Sequence, residues 1–258
     1  MQVIRNGTFT IAPRLKTRSF LAVVGVLTNR FVHSHVSAHA STFRYGVHMV
    51  YVSCVSLGYP NPVLLECTQG GLSQLEHTKL WLSVAPGRFP NATHICKADV
   101  DTLVFPRPLR RILERLPDRS VWGRSCWVDP CLWGVPPRTP WATCTHHRRP
   151  WRCADVSHVS CGICGGFYAL TYDIASAIGP RANRSSLRRF NENEEDRFAS
   201  HLIQTVYGGD FWFASDSVHW ETYTTSSRTR RDLAVLHGVK KKWQWSSLRG
   251  QQRPRKKK

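Results

Sequence analysis

The chain has 258 residues, with 36 Lys+Arg against 17 Asp+Glu and a formal net charge of +19. A hydrophobic content of 41% supplies a core and excludes global disorder, and the length suits one large α/β domain or two small ones. No apolar run approaches the ~18 residues of a membrane helix.

"FLAVVGVL" (Phe20–Leu27) reads as a buried strand. It lies too far into the chain, with no small-residue cleavage pattern after it, for a signal peptide. "VHMVYVSCVS" (Val47–Ser56) reads as a second strand. "SQLEHTKLWLSVAP" opens on Ser73-x-x-Glu76, a capping box, and predicts a helix that stops at Pro86-Gly87. Leu75, Lys79 and Leu82 would share one face of it. "THICKAD" follows as a strand. "PLRRILERLP" is a short helix with Leu109, Ile112, Leu113 and Leu116 on one side, closed by Pro117. "SVWGRSCWV" and "GFYALT" (Gly166–Thr171) are strands, and "YDIASAIGP" is a helix stopped by Gly179-Pro180. "NENEEDRFASHLIQTVYGG" is a helix with acids in its first turn and Phe198, Leu202 and Val206 facing inward. "LAVLHGV" (Leu233–Val239) is a last short strand. Alternating strands and helices predict an α/β layered fold. The expected organisation is a single domain over residues 1–245, with a Cys- and Trp-rich insertion around 126–164 and a basic, disordered tail at 246–258.

The basic excess has two readings, a polyanion surface or a solvated surface with a basic tail. The charge is dispersed and no nucleic-acid-binding motif accompanies it, so nucleic acid is not the expected partner. Six of the nine cysteines, Cys126, Cys131, Cys144, Cys153, Cys161 and Cys164, lie between 126 and 164. Sequons begin at Asn6, Asn91 and Asn183. Together these features point to an oxidising, secretory compartment and to disulfides within the cluster. A zinc site built on Cys161-x-x-Cys164 ranks second, because the spacings match no regular zinc pattern.

The chain has few acids, yet Asp99 and Asp101 stand one residue apart among apolar neighbours. On an extended strand they point to opposite sides. If the chain turns there, both converge on one hard cation, Mn²⁺ or Mg²⁺, able to hold a diphosphate leaving group. Standing alone, an Asp-x-Asp at a strand end reads first as a turn cap.

Its surroundings favour the cation. "KADVDTLV" resembles the Lys-x-Asp-Asp-Asp-Thr-Phe-Val signature of the β-1,3-glycosyltransferases, the family of galactosyl-, N-acetylglucosaminyl- and Fringe-type enzymes. "HTKLWLSVAP", "CGGFYALTYDIASAI", "NEEDRFASHLI" and "LAVLHGVKKKWQW" resemble further blocks of that family, in its order, over roughly Arg18 to Trp245. The match is nearest to a protist surface-glycan branch.

The resemblance implies a GT-A type fold, a Rossmann-like mixed sheet flanked by helices. It also implies a UDP-sugar donor, a glycan or glycoconjugate acceptor, Mn²⁺ with Mg²⁺ as substitute, and a Golgi or secretory-lumen location. The membrane anchor typical of the family is not present in this chain. Carried over by position, Asp99 and Asp101 match the outer metal-binding aspartates, and His237, not His219, matches the late histidine of the metal site. Asp196 matches the catalytic base, with Glu195 as the second choice. Gly165 and Gly166 match the glycines lining the cleft, and Lys79 a donor-binding lysine. As plain sequence, Asp196 and Glu195 also suit the dipole of a helix N-terminus, and the glycines also suit close backbone packing.

The departures are specific. Val100 replaces the middle aspartate, Ala40-Ser41-Thr42-Phe43 stands where a basic donor contact is expected, and Ser200 and His201 stand where small residues are. The expected activity is therefore an inverting transfer from a UDP-sugar. The alternative is an inactive, basic relative of the same fold that binds polyanions or glycans.

Overall fold

In a computed structural model of the chain, residues 20–27, 43–53, 62–64, 73–126, 151–152, 162–184, 190–191, 194–208, 210–214, 218–219 and 234–236 are described. The strands are β1 (Ala22–Leu27), β2 (Phe43–Arg44), β3 (Val47–Ser53), β4 (Pro62–Leu64), β5 (His94–Asp99), β6 (Leu103–Val104), β7 (Ser120–Cys126), β8 (Trp151–Arg152), β9 (Gly162–Thr171), β10 (Trp212–Ala214), β11 (Val218–His219) and β12 (Val235–Leu236). The helices are α1 (Gln74–Arg88), α2 (Pro106–Leu113), α3 (Tyr172–Arg184) and α4 (Glu195–Tyr207).

A nine-stranded mixed sheet runs β2-β3-β1-β5-β9-β7-β10-β8, with β4 also paired to β3. β1 lies parallel to β3 on one side and to β5 on the other. Its six residues are all buried, because both faces of the sheet are covered and a parallel strand there has no solvent side. Strand alternation sorts the core into two layers. Val23 and Leu27 of β1 and Ile95 of β5 face α1, α3 and α4, through Trp81, Ile178 and Phe198 among others. Ala22, Val24 and Val26, with Cys96 and Ala98, face Leu109 and Leu113 of α2 and Val235 of β12. The expected mixed α/β sheet flanked by helices is thus present. A small sheet, β11-β12-β6, sits on the α2 side.

The capping box forms as read. Ser73 Oγ accepts from the Glu76 N–H at 3.2 Å, and Glu76 Oε2 accepts from the Ser73 N–H at 2.9 Å. Neither expected stop at a proline holds. α1 runs through Pro86 to Arg88, and α3 runs through Gly179-Pro180 to Arg184. The two helices cross at these residues. A Cβ on Gly179 would stand 3.1 Å from the Leu82 carbonyl oxygen and 3.6 Å from Pro86 Cγ, so the missing side chain admits the close approach. Leu82 O is the acceptor that Pro86, having no N–H, cannot serve. The Tyr172 hydroxyl donates to the Pro86 carbonyl at 3.1 Å, fastening α3 to the same turn. Burial of Ala85, Pro86 and Leu82 against α3 outweighs the lost helix bond. β9 begins at Gly162, four residues before the expected Gly166, and Val206 is only partly buried while Phe198 and Leu202 are fully so.

Trp81 fills the space over Gly25. A Cβ on Gly25 would lie 2.4 Å from Trp81 Cε2, and the ring is tethered by Nε1 donating to the Cys96 carbonyl at 3.0 Å. Gly25→Ala is therefore expected to destabilise the fold by about 1–3 kcal/mol through overpacking. An unchanged urea midpoint would mean the indole slides aside at no cost.

Most of the cysteine cluster and its tryptophans, including Cys131, Cys144, Cys153 and Cys161, lie outside the described residues, as do Cys54, Cys67 and the basic tail. Among the described residues Cys96 is a buried free thiol, and burial pushes its pKa up. No described helix is long and apolar enough to cross a membrane.

Candidate functional site

β5 ends on Lys97-Ala98-Asp99. Ala98 belongs to the α2 layer, so period-2 alternation turns Lys97 and Asp99 together toward the α1/α3/α4 layer. The chain then turns. The Thr102 N–H donates to the Asp99 carbonyl at 3.0 Å, closing a four-residue turn over Asp99, Val100, Asp101 and Thr102. Thr102 Oγ1 donates to the Gly166 carbonyl at 2.9 Å, binding the turn to β9. The turn that would let both carboxylates converge is therefore formed, and Asp101 sits half-buried within it.

The turn stands at a topological switch point. From β1 the chain goes to β3 on one side and returns through α1 to β5 on the other. Asp99 pairs with Leu27 at the carboxyl ends of parallel β5 and β1. Ligands of open α/β sheets lie in such crevices.

Lys97 is fully buried in this place. Its Nζ lies 2.6 Å from Asp99 Oδ1 and 3.2 Å from Glu195 Oε1. Burial alone would depress the lysine's pKa, but the carboxylates of Asp99, Glu195 and Asp196 outweigh it and push the pKa up, so the ammonium stays charged. Glu195, at the start of α4, is pushed up to about 7 by burial, and Asp196 and Asp99 add to that against the opposing pull of Lys97. The Gln74 side-chain amide donates to the same Asp99 Oδ1 at 2.8 Å, reaching from the first residue of α1. Tyr168 pairs with Lys97 across β5 and β9, and its ring centroid is 6.0 Å from Nζ. Its buried hydroxyl has no hydrogen-bond partner among the described residues. Burial, reinforced by Glu195, Asp196 and Asp99, raises its pKa, so the phenol stays neutral.

Asp196 is half-buried where Glu195 is buried. Its carbonyl accepts from Ser200 Oγ at 2.7 Å, and that hydroxyl accepts from the Ile163 N–H of β9 at 2.9 Å. Ser200 thus ties α4 to β9. Gly165 and Gly166 sit in a β-bulge. β7 pairs Gly123 with Tyr168 and the next residue, Arg124, with Cys164, leaving three β9 residues without a counterpart. Bulges of this kind bend a strand beside a site, and glycine lets the backbone follow.

The structure therefore brings together Asp99, Glu195 and Asp196 around Lys97, with Asp101 and Gly166 on the adjoining turn and bulge. Lys79 is half-buried on α1, five residues beyond Gln74. At about 100° per residue that sets it roughly 140° around the helix from the residue that meets Asp99. His237 lies outside the described residues. Leu236, which precedes it in sequence, pairs with Leu103 on one side and with His219 of β11 on the other.

Sequence reasoning missed Lys97, Gln74, Ser200 and Tyr168 as site residues. For Lys97 a signal existed, since Lys-x-Asp on a strand shares a face. For Glu195 meeting Lys97, 98 positions away, none did.

Among the described residues no group of three or more His, Cys, Asp or Glu side chains could hold a metal ion. Two carboxylates on one tight turn still suit a hard cation of the Mg²⁺ or Mn²⁺ type, which takes one or two protein carboxylates and completes its shell with substrate phosphates and water.

No family model matches the chain, and no curated protein matches it. Among solved structures it is similar to the crystal structure of a glycosyltransferase involved in the glycosylation of the major capsid of PBCV-1. The identity is 9%, the match covers 89% of this chain and 99% of that one, and the TM-score is 0.45.

Proposed function

We propose that the chain is an inverting, metal-dependent glycosyltransferase of GT-A type. It would move a hexose or N-acetylhexosamine from a UDP-sugar to a glycan hydroxyl, in β-1,3 linkage as in the family its motifs resemble. The observation that supports this best is the meeting of the Asp99–Thr102 turn with the acidic first turn of α4, across Lys97, at the sheet's switch point.

In this reading Asp99 and Asp101 hold Mn²⁺ or Mg²⁺, with His237 as the third protein ligand. When bound, the cation supplies Lewis-acid stabilisation of the diphosphate leaving group. Gly165 and Gly166 line the cleft, and Lys79 belongs to the donor side by family position. Asp196 is the base. It is the more exposed of the two acids at the start of α4, while Glu195 is taken up by Lys97. Asp196 accepts the acceptor hydroxyl's proton as that oxygen bonds to the anomeric carbon. The bond from that carbon to UDP breaks on the opposite side, and UDP departs with the electron pair. A secretory lumen suits the chain, since sequon residues Asn91 and Asn183 are both exposed.

The test is UDP release from a panel of UDP-sugars, each with Mn²⁺ and with chelator. Cation-dependent release from one donor is expected. No release from any donor, with retained binding to a sulfated glycan, favours the inactive polyanion-binding relative. The exposed arginines Arg107 and Arg111 of α2, with Arg115 just beyond its end, offer that relative a surface.

Asp196→Asn is expected to lower kcat by about 10²-fold or more, the scale of a lost general base, with the donor KM little changed. A larger loss in Glu195→Gln together with a wild-type-like Asp196→Asn would transfer the role to Glu195.

A further inference from the structure

We propose that Lys97 is a positioning residue that sets the separation between the cation-binding turn and the base-bearing helix α4. This deepens the transferase reading and rests on it.

Lys97 is fixed by the centre of the sheet. It is the fourth residue of β5, in register with Gly25 of β1 on one side and Tyr168 of β9 on the other. Its side chain is fully buried, yet its ammonium reaches the carboxylates of two elements that share no other hydrogen bond with each other among the bonds described for the site. Asp99 belongs to β5, and Glu195 opens α4. A single buried cation between two carboxyl groups holds both at contact distance, and each holds the cation in turn. Asp196 follows Glu195 by one residue and Asp101 follows Asp99 by two. Among the bonds described, the direct link between the two reacting ends thus runs through one nitrogen, while Thr102 and Ser200 tie each of them separately to β9. The residues that would meet substrate, Asp101 and Asp196, are half-buried, whereas the linking residues Lys97 and Glu195 are buried away from it. A displacement of about 1 Å between such groups can cost about 10²-fold in rate.

The neutral reading is that Lys97 merely compensates buried negative charge. The two readings separate by measurement. Lys97→Met is compared with Lys97→Met/Glu195→Gln, in which the α4 carboxylate that touches the ammonium is neutralised as well. Positioning predicts that the double variant regains fold stability, read as the urea midpoint, while kcat for UDP-sugar turnover stays down by about 10²-fold and the donor KM moves little. Wild-type kcat in either folded variant overturns the proposal. So does recovery of kcat together with the midpoint.

If the wild-type chain turns over no UDP-sugar, the transferase reading has failed, and the linkage is judged without substrate. Asp99→Asn and Glu195→Gln are combined, and their effects on the midpoint are compared with Lys97 present and with Lys97→Met. Non-additivity that disappears in the Lys97→Met background supports the linkage. Additivity with Lys97 present overturns it.

Discussion

Asp101→Asn is expected to reduce cation-dependent sugar transfer by about 10³-fold, equivalent to about 4 kcal/mol of lost transition-state stabilisation. The carboxamide keeps the shape of the side chain and removes its charge. Asp99→Asn should lose as much activity but differ in a second respect. Asp99 is also the nearest partner of the buried Lys97, at 2.6 Å. Removing one partner of a buried pair costs about 3–5 kcal/mol. Glu195 remains to Lys97, so the loss of stability at Asp99 should fall below that range. The measurements are a Mn²⁺ titration of UDP release and a urea midpoint for each variant. Full turnover in Asp101→Asn would return the pair to turn capping. A wild-type midpoint for Asp99→Asn would contradict the ion-pair geometry.

The distinction between these two aspartates was only partly legible in the sequence. The strand, the turn after it and the acidic start of α4 could all be read, because each is local: apolar alternation, Asp-x-Asp-Thr, and three acids before an amphipathic run. The capping box at Ser73 and Glu76 is equally local and formed as read. The two helix ends at Pro86 and Gly179-Pro180 were misread for one shared reason. Each looks like a stop by its own propensity, but α1 and α3 cross there, and a glycine facing a backbone carbonyl makes a tight contact that only the packed structure reveals. The link from Lys97 to Glu195 spans the sheet and could not be read from spacing at all. Lys97 itself was within reach. A lysine inside an otherwise buried strand has to find an anion, and the residue two positions on, sharing its face, is Asp99.

The packing behind that strand gives the largest expected loss of stability. Trp81→Ala should cost about 3–5 kcal/mol, the range for deleting a buried large aromatic. Trp81 is 0% exposed and among the largest fully buried side chains. It rests on Gly25 of β1, where the absent Cβ leaves room for the indole. Two losses combine in the alanine variant. One is the cavity over β1, and the other is the hydrogen bond to the carbonyl of Cys96, which accepts from Trp81 Nε1 at 3.0 Å and loses this buried donor. Trp81→Phe separates them. It fills most of the cavity but cannot donate, so its midpoint should lie between wild type and alanine. Cys96 is the residue before Lys97, so activity in the phenylalanine variant reports on the site as well. If β5 shifts when its tether is cut, Lys97 and Asp99 shift with it, and kcat should fall further than the loss of folded protein accounts for. A phenylalanine variant with a wild-type midpoint would show that the hydrogen bond contributes nothing. Wild-type kcat at a lowered midpoint would confine Trp81 to the core and leave the placement of β5 to its two neighbouring strands.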